Sequence, residues 1–384
     1  MSKLDFGLDE FAARRMRVRQ ALAAAGLDWF VAFHPVSIHW LTGSDAKSYQ
    51  EFQCLFISAE EGPVVVQTWD GERAEFLDDA IVDELWTWGG GEFEDPLDKF
   101  AQIVRRHGVD RGRVGIEVPA YYLHPHHYLA VRQCLGEQRV VEQSNLIHDL
   151  KLVKSPREIE YIRRAAQIAD LGMQTFVDAL ETGRTELAIA GDVYQALMHA
   201  GSGLAASPMN LVTGERSSFS HGAPTTRVVR DRDYGSIEYG ATWKRYTSTI
   251  GRQFCMGPPT ERMRELYELV RAASDAQIAE IRAGVPATAP HAAAKRVIAD
   301  AGLDGSRVHT SGYGLAPGFP PTWGEPLHML AGSTYTLEAG MVVTVEPPVF
   351  IAEENLGARL IDNVLVTADG CELLTKFDRA LIVR

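Results

Sequence analysis

Glu238 and Glu346 stand where a carboxylate is expensive. Glu238 lies inside the apolar run Ile237-Glu238-Tyr239-Gly240, and Glu346 ends the run Val343-Thr344-Val345 ahead of Pro347-Pro348. Both runs read as buried strands, and a buried carboxylate must be paired, hydrogen-bonded or protonated. Carboxylates perturbed in this way serve acid–base or nucleophilic chemistry, although a structural ion pair has the same signature in sequence. His221 sits in the loop Ser220-His221-Gly222-Ala223-Pro224-Thr225-Thr226-Arg227, and Arg245 and Tyr246 follow Lys244 at a turn. Tyr313 opens the strand-like Tyr313-Gly314-Leu315. The segment Pro317 to Glu325, which carries Phe319, Trp323 and Glu325, reads as a loop. No glycine-rich phosphate loop and no Gly-x-Ser-x-Gly nucleophile elbow is present. His124-Pro125-His126-His127 lacks the acidic residue or cysteine that would complete a metal site and reads as an exposed helix start.

The elements that must hold these residues fall into two groups. Up to about residue 150, strand patterns (Trp29 to Phe33, Gln53 to Ser58, Pro63 to Thr68, Arg113 to Val118) alternate with helical ones, which predicts an α/β domain over residues 1–150. Ser155-Pro156-Arg157-Glu158 is then a strong helix start: a serine cap, proline in the first turn and glutamate three residues after the cap. Beyond it come two helices, a long strand region from Val228 to Met256, two more helices and further strands to Thr367. This mixture predicts an α+β domain over residues 151–384.

Composition limits what the chain can be. It has 384 residues, 46% of them apolar and 23% charged, which suits a globular protein of about two domains. Four scattered cysteines form neither a disulfide framework nor a zinc motif, and the N-terminus lacks the basic-then-apolar pattern of a secretory signal. A reducing cytoplasm is the expectation. No apolar run is long enough for a membrane span. The net charge of −13 and pI near 5.4 argue against a nucleic-acid partner, which needs clustered Lys and Arg.

Four motifs carry a resemblance when taken in order: Lys154-Ser155-Pro156-Arg157-Glu158-Ile159, Leu337-Glu338-Ala339-Gly340-Met341-Val342, Val345-Glu346-Pro347, and Gly357-Ala358-Arg359-Leu360-Ile361-Asp362-Asn363-Val364. The chain resembles the creatinase/aminopeptidase ("pita-bread") family over nearly its whole length. That implies a C-terminal pita-bread domain behind a creatinase-like N-terminal domain. The family's peptidases hold two metal ions with two Asp, one His and two Glu. Here Glu238 and Thr249 stand at the two Asp positions, Tyr313 at the His position, Glu346 at one Glu position and Ile361 at the other. Thr, Tyr and Ile cannot supply bridging carboxylates or imidazole, so no metal and no cofactor is expected.

The family's metal-free branch, which includes creatinase and ectoine hydrolase, is the nearer likeness. Glu238 with Lys244-Arg245-Tyr246, the Gly312-Tyr313 pair and Pro320-Pro321-Thr322-Trp323-Gly324-Glu325 are similar to ectoine hydrolase, whereas His221 and Glu346 are similar to creatinase. The resemblance implies hydrolysis of a non-peptide C–N bond in a small zwitterionic or cationic amidine or guanidine. In that role Glu238 attacks the amidine carbon or activates water. His221 moves the proton to the leaving nitrogen, Tyr313 donates to the tetrahedral intermediate, and Glu346 forms a second anionic wall. Arg359 or Arg245 holds the substrate carboxylate, while Tyr246, Trp323, Glu325 and Phe319 shape the pocket. Tyr49 and Phe52 are expected from the partner subunit of a homodimer. Three readings compete: a creatinase-like amidinohydrolase, an Xaa-Pro dipeptidase-like metallopeptidase with a degenerate site, and a non-catalytic binding module.

Overall fold

The structure is a computed structural model that describes residues 5–384, and the chain divides into two compact units, Met1–Lys151 and Leu152–Arg384. The first unit holds α1 (Leu8–Ala24), β1 (Trp29–Ala32), α2 (Pro35–Thr42), β2 (Cys54–Ser58), β3 (Val65–Trp69), α3 (Arg73–Asp79) and β4 (Glu84–Trp88). It continues with α4 (Pro96–His107), β5 (Val114–Ile116), α5 (Pro125–Leu135), β6 (Val140–Glu142) and α6 (Leu146–Lys151). Six strands form one sheet in the order β4-β3-β2-β1-β5-β6, with β1, β2 and β3 paired antiparallel and the outer pairs parallel. Two apolar clusters line this sheet, one around Phe30, Leu55 and Phe76 and the other around Phe56, Phe100 and Ile116. Residues His39 to Thr42 close the buried helix α2, which Gly43 caps with a positive φ of 81°. Its amino end is held by Glu117, which accepts from the Phe33 and His34 amides at 2.8 Å each. His124 accepts from the His126 amide as the cap of α5, so the histidine cluster is a helix start.

The second unit begins with α7 (Pro156–Ala179) and α8 (Glu186–His199), followed by β7 (Asn210–Thr213), β8 (Tyr234–Trp243) and β9 (Tyr246–Cys255). Then come α9 (Glu261–Glu280), α10 (Thr288–Asp300), β10 (Tyr313–Phe319), β11 (Thr322–His328), β12 (Val342–Val345) and β13 (Val349–Ile351). The chain ends with β14 (Leu356–Ala358), β15 (Asp362–Val366), β16 (Cys371–Leu373) and β17 (Ile382–Val383). Ser155 starts α7 by the expected capping box, exchanging bonds with Glu158. One sheet runs β16-β15-β12-β10-β9-β8-β7, with β11 on β10 and β17 on β9; β13 and β14 form a separate pair. The segment expected as a loop up to Glu325 is mostly strand, because β10 and β11 pair through bulges that tolerate the glycines and prolines there.

β8 is buried on both faces, and its alternation decides which residues do chemistry. Ile237 and Tyr239 face α7 and α8, where Met173, Phe176, Val193 and Leu197 pack against them. Glu238 therefore points to the opposite face. Close packing of α7 on this strand needs glycine at 172, since a Cβ there would come within 2.8 Å of the Tyr239 hydroxyl and 2.7 Å of Leu197. Among the described residues, no helix is long and apolar enough to cross a membrane.

Candidate functional site

Ser220, His221, Glu238, His309, Glu346, Pro348, Arg359 and Ile361 line one small cavity in the second unit. The open space within it is about 10 Å³, room for roughly one water molecule. Its walls come from sequence-distant elements. β8 supplies Glu238, and the turn after β12 supplies Glu346 and Pro348. The stretch between β14 and β15 supplies Arg359 and Ile361, while His221 and His309 come from the connections before β8 and β10.

Glu238 is held through one oxygen. Arg359 Nη1 donates to its Oε2, as does Asn210 Nδ2 at 3.0 Å, and Asn210 is the register partner of Glu238 on β7. No described residue bonds Oε1. Arg359 is itself fixed, since its amide donates to Gln253 at 3.1 Å and its Nη2 donates to the Ser220 carbonyl beside His221. Both partners of the Arg359–Glu238 ion pair are under 10% exposed.

Glu346 is 4% exposed, and its Oε1 has no hydrogen-bond partner. Burial, reinforced by the Glu238 charge, pushes its carboxyl well above the usual range. These surroundings work against the charge of the second anionic wall expected from the sequence and favour the neutral acid. The nearest basic atom is His309 Nδ1 at 3.5 Å. Burial lowers the His309 pKa, and Nδ1 lies 3.2 Å from the Thr310 carbonyl, an acceptor that favours the tautomer with Nε2 free of hydrogen. His221 and His309 face each other with ring centroids 5.5 Å apart. His309 was not singled out in the sequence, where an isolated histidine ahead of a strand carries no local signal.

The raised Glu346 pKa has a thermodynamic consequence. A carboxyl whose folded pKa lies above its unfolded value contributes stability fully below about pH 4.5 and loses it as pH rises through the folded value. Glu346→Gln, neutral at every pH, should escape this loss. Its stability relative to the native protein should grow between those two pKa values at up to about 1.4 kcal/mol per pH unit. Urea midpoints from pH 4.5 to pH 8 check it; a difference that stays flat with pH contradicts the buried neutral acid.

The second unit and the first match different family descriptions. Residues 160–368 match Metallopeptidase family M24, and residues 14–153 match the Creatinase/Prolidase N-terminal domain. The chain belongs to family M24. It is 28% identical to the ectoine hydrolase of Halomonas elongata over 408 aligned positions, covering 99% of each chain. It is 30% identical to the Xaa-Pro dipeptidase of Pyrococcus furiosus over 242 positions, covering 62% of this chain and 67% of that one. The prolidase structure from Thermococcus sibiricus superposes with a TM-score of 0.88 at 22% identity, covering 98% of this chain and all of that one, which shows the pita-bread fold.

This M24 chain does not present a dinuclear ligand set. Thr249 receives the Asn363 side-chain amide at 2.9 Å, and its own amide donates back to Asn363 Oδ1 at 2.7 Å. Ile361 packs on Gly251, where an added Cβ would meet it at 2.8 Å. The Tyr313 hydroxyl accepts from Trp323 Nε1 at 2.9 Å. Glu238, the carboxylate that remains at an Asp position, is already paired with Arg359. Among the described residues no group of three or more His, Cys, Asp or Glu is arranged to hold a metal ion. These residues do not fit the family's two metal ions.

The structure brings Glu238, His221, Glu346 and Arg359 to one cavity and leaves the other expected residues elsewhere. Tyr313 stands a ring away from His309, at 6.4 Å between centroids, and does not line the cavity. Tyr246 is fully buried and donates to Glu158 of the α7 capping box at 2.8 Å. The Arg245 guanidinium lies over the Phe319 ring at 4.3 Å, which engages both residues with each other. Glu325 is in a buried ion pair with Lys154 at 2.5 Å, and Trp323 packs over Gly240. In the first unit Phe52 is a core residue, 3% exposed, against Phe33 and Phe100, and the Tyr49 ring packs on Tyr122. Phe52 therefore has no free face to offer a substrate.

Proposed function

We propose that this M24 hydrolase is metal-independent and cleaves a non-peptide C–N bond in a small amidine- or guanidine-type compound, opening ectoine or a related cyclic amidine. One observation carries this reading: Glu238 is clamped through Oε2 by Arg359 and Asn210 at a position where the peptidases need a metal ligand. Its other oxygen is left for chemistry. The overall likeness to the Halomonas elongata ectoine hydrolase supports the substrate class.

In this reading a cationic amidine seats its electron-poor carbon at Glu238 Oε1. The carboxylate attacks that carbon or removes a proton from an attacking water; both routes end with water added across the carbon and one C–N bond broken. An amidinium and a water become an amide and an ammonium, so charge is conserved. His221 delivers the proton to the departing nitrogen, and Glu346 and His309 bound the space from which bulk water is kept. The same reading makes the protein a cytoplasmic homodimer with a small molecule as its substrate.

Purified protein dialysed against a chelator and offered ectoine should release the ring-opened acetylated diamine, detected by chromatography. The same preparation should not cleave an Xaa-Pro dipeptide, with or without added manganese. Metal-dependent dipeptide cleavage with no turnover of ectoine, hydroxyectoine or creatine would overturn the proposal in favour of a peptidase.

A further inference from the structure

Two carboxyl oxygens of the cavity are left over when the hydrogen bonds of the described residues are assigned. Arg359 and Asn210 both donate to Glu238 Oε2, and no described residue bonds Oε1. Glu346 is 4% exposed, and its Oε1 has no partner either. Both glutamates line the same space, which has room for roughly one water. Buried polar atoms in folded proteins are almost always hydrogen-bonded, and where protein groups do not reach them an ordered water does. The walls of this space are fastened. Ile361 exchanges backbone bonds with Gly251 at 3.0 and 3.1 Å, the Glu346 amide donates to the Ser311 carbonyl at 2.9 Å, and the Arg359 amide donates to Gln253 at 3.1 Å. A substrate ring whose carbon is to bond Glu238 Oε1 directly must part these walls. A water standing at Oε1 needs no such movement.

We infer that one water, held between Glu238 Oε1 and Glu346 Oε1, is the nucleophile of the hydrolysis, with Glu238 as its base and Glu346 as the residue that positions it. The inference rests on the hydrolase reading and decides between the two routes open to Glu238. The neutral acid that burial favours at Glu346 has an O–H to donate to the water oxygen. The water in turn donates to the Glu238 carboxylate, which leaves one lone pair of its oxygen for the amidine carbon. The substrate approaches from the side of His221, an exposed residue. An O–H bond of the water then breaks: the proton passes to Glu238 Oε1, the oxygen bonds the carbon, and the C=N electrons return to nitrogen. As the C–N bond breaks, the departing nitrogen takes the hydroxyl proton and, through His221, the proton held by Glu238. It leaves as ammonium while the oxygen becomes the amide carbonyl. Glu238 is a carboxylate again, ready for the next water.

Two measurements on the intact native protein test this. A crystal structure should show one ordered water within about 3.2 Å of both Glu238 Oε1 and Glu346 Oε1. No water at that place overturns the inference. A single turnover of ectoine, run with enzyme in excess in oxygen-18 water and quenched in acid, should put the heavy oxygen in the acetyl group of the product and leave Glu238 unlabelled and of native mass. Heavy oxygen in the Glu238 carboxyl, or substrate mass added to the Glu238 peptide, overturns the inference and leaves the hydrolase reading standing with Glu238 as the nucleophile. Glu346→Gln, which keeps a donor, should hold kcat within about tenfold of native, whereas Glu346→Leu should lose roughly 10²–10³-fold, the cost of one donor at the reacting oxygen. Equal losses in the two variants would overturn the positioning role of Glu346. If Glu346→Leu does not fold, the crystal structure and the oxygen-18 result still decide. No turnover of ectoine, hydroxyectoine or creatine overturns the hydrolase reading, and the inference falls with it.

Discussion

Glu238→Gln is expected to lower kcat on ectoine by on the order of 10²–10⁴-fold, the range over which a positioned carboxylate contributes, and by more if it is the nucleophile. The substitution preserves shape. Its amide oxygen can still accept from Arg359 and Asn210, the two donors that hold Oε2 in the native protein. What is lost is the negative charge and the basic second oxygen. The fold should survive with reduced stability: Arg359 loses its charged partner but keeps an acceptor, and the β8–β9 hairpin and its packing on α7 and α8 do not use that charge. Steady-state kinetics beside a thermal melt separate the two effects. Near-native turnover in a folded Glu238→Gln protein would remove Glu238 from the chemistry.

Glu186→Ala is expected to destabilise the second unit by roughly 3–5 kcal/mol, the cost of removing one partner of a buried ion pair. Glu186 is fully buried at the start of α8. It accepts from the Thr213 hydroxyl at 2.7 Å, from Arg216 at 2.5 Å, and from the Thr225 amide and hydroxyl at 2.9 and 2.8 Å. Arg216 in turn donates to the Ala223 carbonyl at 2.7 Å. These bonds bracket His221 on both sides, and the Leu211 amide adds a further tie to the Gly222 carbonyl at 2.9 Å. Removing the carboxylate strands Arg216 and frees the loop. Urea unfolding should show the stability loss, and kcat should fall because His221 is no longer held beside the cavity. Native stability in Glu186→Ala would contradict the buried clamp.

Several features of this protein are written in short stretches of chain. The cap at Ser155-Pro156-Arg157-Glu158 announced α7 because capping involves residues only three apart. The hairpin turn at Lys244-Arg245 was legible as well, and both residues adopt positive φ there, at 53° and 65°, the conformation a two-residue hairpin demands. Glu238 and Glu346 could be picked out because a lone carboxylate in an apolar strand has few explanations. Other elements were not legible. β7 is four residues long, and β11 carries a glycine and a proline, so neither has a run on which strand alternation can be recognised.

The residue types and their local periods were enough to name the two carboxylates and His221, while the pair of candidate arginines and the three metal positions without a ligand followed from the family resemblance. The choice between Arg245 and Arg359 belonged to the tertiary structure. Arg359 meets Glu238 across 121 residues of chain, whereas Arg245, at the turn between β8 and β9, lies over Phe319 at the end of β10. The same holds for Tyr246, Glu325 and Phe52, whose side chains are used in a cap, an ion pair and a core, and for His309, which becomes part of the cavity only when β10 is in place. Caps and alternation act over a few residues and leave a mark in the chain. Which charge meets which is set by sheet register between distant strands, and register depends on the packing of the whole unit.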